Sequence, residues 1–146
     1  MKPFTMHAVL NYRQQLEDMA RQKLAQAIEE EARLNAALLQ AQEELAELHQ
    51  SLQSDQEQGI SVDRLILFDH RIELVKEHIV HRKEKFENQQ ALVAKNRQQL
   101  IQTSKDRKIM EKLREQQNAA YAKFLEKKES GMLDEIAVLS HARNKG

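Results

Sequence analysis

The sequence predicts an all-α chain, a long two-helix antiparallel coiled-coil hairpin whose second helix is longer than the first. Three observations predict it. Composition is rich in Ala, Glu, Lys, Leu, Arg and Gln, with 4% aromatics, one Pro and no Trp. These residues lose little side-chain freedom in a helix, and they supply too little bulk for a broad layered core. From Thr5 to Gln58 no Gly or Pro interrupts the chain, a run longer than an ordinary globular helix. Beyond Gly59, Leu65, Ile72, Ile79, Phe86, Val93 and Leu100 recur every seven residues, the signature of a coiled-coil seam.

The elements follow in order: a lead over 1–4, a first helix over 5–57, a reversal over 58–62, a second helix over 63–129 and a helical or frayed tail over 130–146. Thr5 is the expected N-cap of the first helix. At the reversal, Gly59 is suited to the left-handed conformation that ends a helix. Ser61 supplies the next cap, Asp63 complements the dipole of the first turn, and Ile60 and Leu65 occupy the two positions of a hydrophobic staple.

The two seams test each other. On the second helix the companion positions are Phe68, Val75, Arg82, Gln89, Asn96 and Thr103. On the first, a seam reads backward through Leu52, Leu48, Leu45, Ala41, Leu38, Leu34, Glu31, Ala27 and Leu24. It continues through Ala20, Leu16, Tyr12 and Val9, with one stutter near Leu24. Folding back at Gly59 requires paired residue numbers to have a constant sum. Leu52 with Leu65, Leu45 with Ile72, Leu24 with Val93 and Leu16 with Leu100 all give 116 or 117. The half nearest the reversal is apolar, whereas past Arg82 one position per heptad turns polar, which fixes register at some loss of stability.

Pairing ends near Val9 and Arg107, which leaves the rest of the second helix without an internal partner. At about 1.5 Å per residue that segment spans about 60 Å if fully helical. It keeps an apolar pattern in Ile109, Met110, Leu113, Ala120, Phe124, Met132, Leu133, Ile136 and Leu139. An amphipathic helix with nothing to cover it seeks another protein or frays. Ser130-Gly131 marks a place for a kink or cap.

Charge and composition exclude several classes of function. Net charge is zero, yet residues 1–58 carry five Lys/Arg against ten Asp/Glu, and residues 59–146 carry eighteen against thirteen. An acidic helix folded on a basic one is favoured over parallel pairing of like helices. A nucleic-acid binder is usually basic overall. Lys105, Arg107, Lys108, Lys112 and Arg114 do cluster, but Glu111 and Glu115 are interleaved with them at the spacing of intrahelical ion pairs. With no Cys, thiolate metal sites are excluded. His78 and His81 lie three apart without a companion carboxylate, a weak metal motif better read as solvated surface. Glu29-Glu30-Glu31 sits on a two-helix coil that offers no pocket to desolvate a carboxylate. No Gly-rich phosphate loop occurs. The expectation is a binding protein with no catalytic residue, cofactor or metal, soluble, without membrane insertion or nucleic-acid partner.

The C-terminal part carries the most specific signal. Ile109-Met110-Glu111-Lys112-Leu113-Arg114-Glu115 resembles the "LEKLKEK" segment of the flagellar export protein FliJ family. Leu133-Asp134-Glu135-Ile136-Ala137 resembles that family's "LDEIA" element, followed by a basic end with His141, Arg143 and Lys145. Chain length, Phe4 and Leu10 near the start, and the long hairpin fit as well. Gln116-Gln117 and Ser130-Gly131 depart from the family's charged stretches and put the straightness of the C-terminal helix in question. The resemblance implies a soluble component of the flagellar type III protein export apparatus, at the cytoplasmic face of the inner membrane. The partners it implies are the hexameric export ATPase, the membrane-embedded export gate and export chaperones. On this reading Met110, Leu113, Phe124, Leu133, Asp134, Glu135 and Ile136 dock in the ATPase ring with Val9 and Tyr12. The reversal end, with Leu48, Leu52, Leu65, Phe68 and Asp69, is left for a second partner. The same seams would also suit a generic coiled-coil scaffold that self-associates through its tail.

Overall fold

In the computed structural model the backbone is described for residues 3–145 and side chains for residues 6–143. The chain forms two helices, α1 (Pro3–Gln58) and α2 (Val62–Lys145), packed as a hairpin with the second longer. α1 already begins at Pro3, so Thr5 lies inside the helix and not at the N-cap position expected from the sequence; the side chains of Phe4 and Thr5 lie outside the described residues. α2 runs without interruption through Ser130 and Gly131. The chain divides into two compact units, Met19–Ile101 and a second made of Met1–Asp18 with Gln102–Gly146.

In the unit Met19–Ile101 the reversal is built as the sequence requires. Gly59 has φ +92°, a conformation that an L side chain resists. Its N–H donates to Gln56 O at 3.3 Å, closing the end of α1. Ser61 Oγ accepts from the Arg64 N–H at 3.2 Å, and Ser61 O accepts from the Leu65 N–H at 3.0 Å. Ser61 is therefore the N-cap of α2, with Asp63 in the first turn. Arg64 Nε lies 2.9 Å from Asp55 Oδ2, joining the two helices just beside the turn.

The seam of this unit matches the heptads. Ala27, Leu38 and Ala41 of α1 and Ile72, Val75 and Val93 of α2 are buried. Leu24, Glu31, Leu34, Leu45, Leu48, Leu52, Phe68, Ile79, Arg82, Phe86, Gln89 and Leu100 are half-buried. Where α2 turns polar, its side chains cross to the backbone of α1. Arg82 Nη1 donates to Ala37 O and Gln89 Nε2 to Ala27 O, each at 3.0 Å. Both acceptors belong to alanines, whose small side chains let a long polar group reach the carbonyl. Asn96 is only 2% exposed, and its Oδ1 finds no hydrogen-bond donor.

In the unit Met1–Asp18 with Gln102–Gly146 the seam differs from expectation. Met6, Leu10 and Glu17 are buried and Arg13 is half-buried, whereas Tyr12 is 58% exposed. Along α1 the inward positions run 24, 20, 17, 13, 10, 6, alternating steps of four and three. The stutter expected near Leu24 is therefore absent. Glu17, Arg13, Leu10 and Met6 hold the places assigned to Leu16, Tyr12 and Val9, although Leu16 and Val9 remain half-buried beside them. The physical reason is an ion cluster. Arg107 Nε donates to Glu17 Oε2 at 2.7 Å, and Arg107 Nη1 lies 2.8 Å from Glu111 Oε2. The hydrogen bond to Glu17, and then that to Glu111, push the Arg107 guanidinium above its ordinary range. Arg13 Nη1 and Asp106 Oδ2 approach to 3.7 Å alongside. Helical side chains lean toward their own N-terminus, so on antiparallel helices Glu17 and Arg107 lean toward each other and meet from positions one heptad out of register.

Replacing Asn96 by Leu removes an unpaired buried carbonyl and is expected to raise stability by about 1–3 kcal/mol, read as a higher urea midpoint at unchanged slope. Leu10→Ala is expected to speed amide exchange across residues 6–17, whereas Tyr12→Ala leaves it unchanged. Equal effects of the two would restore the stuttered register.

Candidate partner-binding surfaces

Two surfaces expose apolar groups that a hairpin has no internal reason to expose. The first is on α2 beyond its pairing with α1. Every described residue from 118 to 143 is exposed, yet the segment carries Tyr121, Phe124, Leu125, Met132, Leu133, Ile136, Val138 and Leu139 at 45–68% exposure. Nothing in the intrinsic helix propensity of these residues calls for so much apolar area, and single exposed apolar groups are ordinary only when scattered.

The pattern has two parts. At 3.6 residues per turn, Leu113, Ala120 and Phe124 project within a narrow sector of the helix. Tyr121, Leu125, Met132, Ile136 and Leu139 share another sector, rotated by roughly a quarter turn. Ser130 and Gly131 lie within the span of this second sector. A Cβ added at Gly131 would meet nothing within 4 Å, so no packing in the free chain requires glycine there. The predicted residues distribute accordingly. Leu113 and Phe124 belong to the first sector, with Met110 half-buried at its edge. Ile136 belongs to the second, flanked by Leu133. Asp134 and Glu135 line a shallow groove of about 350 Å³ with Val138 and Leu139. Val138 was not singled out from the sequence, although its place among Ile136 and Leu139 was the signal available. Val9 is half-buried and Tyr12 exposed in the same unit.

The second surface is at the reversal. Leu48 and Phe68 meet there in an open depression of about 260 Å³, together with Leu67, Arg64 and Arg71. Leu52 is half-buried in the seam, Leu65 is 38% exposed, and Asp69 is exposed. Val62, Ile66 and Leu67, at 60–72% exposure, add apolar area that heptad reading missed. They fall off the heptad, and a seam search passes over such residues. Arg71 is paired with Glu44 and Arg64 with Asp55, so the rim of this depression is rigidified by ion pairs across the hairpin.

No enclosed catalytic constellation accompanies either surface. Among the described residues no group of three His, Asp or Glu side chains is placed to hold a metal ion, and no helix is long and apolar enough to cross a membrane. Glu30, partly exposed on α1, is held below the usual carboxylate range by its hydrogen bond to Arg33, an ordinary intrahelical pair. Each of the two compact units thus exposes an apolar surface.

The chain matches no curated protein and no solved structure. A family model described as Flagellar FliJ protein matches it over residues 1–146. That match spans both helices and the reversal between them, and it includes the C-terminal elements on which the sequence resemblance rests. The chain therefore belongs to the FliJ family, as a component of flagellar protein export.

Proposed function

We propose that this protein is a connector in the flagellar export apparatus, binding the hexameric export ATPase through its unpaired C-terminal helix. The exposed, apolar segment beyond Met110 carries this reading. Burying such a helix against a partner recovers roughly 25 cal/mol per Å² of apolar area, against the modest loss of ordering a segment already helical. Phe124 and the pair Leu133 and Ile136 are the anchors, since large apolar side chains dominate interface energetics. Val9 and Tyr12 join them at the start of α1. The depression around Leu48, Leu67 and Phe68 is left for a second partner, the membrane-embedded export gate, with export chaperones handled in the same assembly. The protein itself carries out no covalent step. It couples ATP turnover to the gate by linking two binding events, which places it in the cytoplasm at the base of the flagellum.

The second apolar sector runs from Tyr121 to Leu139, so a straight helix presents it along one side and Gly131 lies within the docking segment. Gly131→Ala is expected to strengthen the free helix by about 1 kcal/mol and to tighten ATPase binding. Weakened binding instead would show that the helix bends at Ser130-Gly131 to dock.

Phe124→Glu and Ile136→Glu are each expected to reduce affinity for the cognate ATPase by about tenfold or more, measured by pull-down and titration, with loss of any stimulation of ATP hydrolysis. Truncation after Arg107 should abolish both. Phe68→Glu should leave them intact while reducing binding to the gate. Unchanged ATPase binding after truncation would overturn the assignment of the tail.

A further inference from the structure

Within the unit Met19–Ile101, α1 carries a second stripe that the seam does not use. One place after each inward residue from Leu24 to Leu48 stand Ala25, Ile28, Ala32, Asn35, Leu39, Gln42, Ala46 and His49, and Arg21, one place after Ala20, ends the stripe. Within the stripe the residues are uncharged or His, although Glu29, Glu30, Glu31, Arg33, Glu43 and Glu44 crowd the same stretch. All are exposed, Ile28 by 43% and Leu39 by 50%. A helix with two adjacent stripes in the same heptad phase has the pattern of one packed against two neighbours. α2 covers the first stripe. The second is open.

The charges bordering this stripe are arranged differently from those on the opposite side of the hairpin. On the opposite side Glu44 is paired with Arg71, which closes that edge. On the open side α2 contributes Lys76, Lys83, Gln90 and Arg97, one place after Val75, Arg82, Gln89 and Asn96. Facing Lys76, Lys83 and Gln90 across the groove, α1 offers only the uncharged stripe, while Arg97 lies level with Arg21. The far border of the stripe is formed by Glu29, Ala36, Glu43 and Gln50, on the outer side of α1. The stripe thus has an acidic border in Glu29 and Glu43 and a basic border in Lys83 and Arg97, none of them ion-paired among the described residues, whereas Lys76 is held by Glu73 at 3.6 Å.

We propose that this face binds a second copy of the chain, α1 stripe on α1 stripe, with the two hairpins pointing the same way. Two-fold rotation about an axis along the helices exchanges left and right, so each copy's basic border lies over the other's acidic border. Arg97 then approaches Glu29 of the other copy, and Lys83 approaches Glu43. The neutral positions match as well, Gln90 with Ala36. Both charged pairings have the same axial offset, and it is close to that by which Arg107 and Glu17 meet within the chain, each side chain leaning toward its own N-terminus. The opposite, antiparallel arrangement would stack acid on acid and base on base, so the charges select direction as charged flanks do in coiled coils. Three alanines in the stripe let the backbones approach closely, Ile28 and Leu39 supply the apolar anchors, and Asn35 fixes register. This surface is distinct from the C-terminal segment assigned to the ATPase.

The test is sedimentation of the full chain over a range of concentrations at low and high salt. A monomer–dimer equilibrium is expected, with dissociation favoured by salt. Ile28→Glu with Leu39→Glu should give a monomer of unchanged helical circular dichroism, since both side chains are exposed. Lys83→Glu should weaken the dimer, and adding Glu43→Lys to it should restore association. A nitroxide at Gln50 should report a short distance between copies, as parallel alignment requires. The proposal is overturned by a chain that stays monomeric throughout. It is equally overturned by a dimer that survives the double glutamate variant and is lost with Phe124→Glu, which would place association in the tail, or by a charge swap that restores nothing.

Discussion

One constraint governs the rest of this molecule: two helices must share a single seam, and a three-residue turn sets where that seam begins. Gly59 at positive φ ends α1 within a residue, and Ser61 starts α2 at once. With so little chain between them, the helices have no freedom to slide. Every later layer inherits its register from the turn, and the Asp55–Arg64 contact holds the first layer in place. A longer or more flexible connection would allow neighbouring registers to compete, because a heptad repeat is self-similar after seven residues.

Fixed register makes the composition of the seam consequential. Near the turn the layers are filled by Leu48, Phe68, Ile72 and Val75, and apolar burial holds them. Farther along α2 the same positions become Arg82, Gln89 and Asn96, facing alanines. These layers hold by hydrogen bonds to α1 carbonyls and, at Asn96, by tolerating an unpaired oxygen. A buried polar group adds little net stability but penalises any arrangement in which it lacks its place. The hairpin therefore gains specificity where it loses cohesion. The ion cluster of Glu17, Arg107 and Glu111 follows the same logic, because either charge left alone in the seam would be strongly unfavourable.

This composition also explains which parts of the fold were legible in the sequence. α2 was read correctly along its seam because six apolar residues mark it at intervals of seven, and the polar companions then fell into place by spacing. The turn was legible because Gly, Ser and Asp each answer a distinct backbone requirement. The base of α1 was misread because Arg13 and Glu17 hold seam positions there. A reading that follows apolar residues steps aside to Leu16, Tyr12 and Val9, and must introduce a stutter to do so. Only the partner, Arg107 on the other helix, makes a buried glutamate reasonable, and no local pattern reveals such a pairing. At the candidate surfaces Phe124, Leu133 and Ile136 were legible as apolar residues without a mate. Ile66 and Leu67 were not, since off-heptad residues read as solvated by default.

The apolar surface left exposed follows from the same constraint. A turn placed well before the middle of the chain gives α2 more residues than α1 can cover, so part of its apolar pattern must remain open. Among the described residues no other element folds over it, and the helix bearing it is strongly charged, with Lys, Glu and Asp interleaved among Phe124, Met132 and Ile136. The interleaving breaks up an apolar patch that would otherwise favour non-specific association. It also sets the terms of binding. On the proposed function, a partner for this segment supplies an apolar groove and both signs of charge at its rim. On that reading, selectivity for a protein surface resides in the charges that flank the apolar residues of an oversized helix.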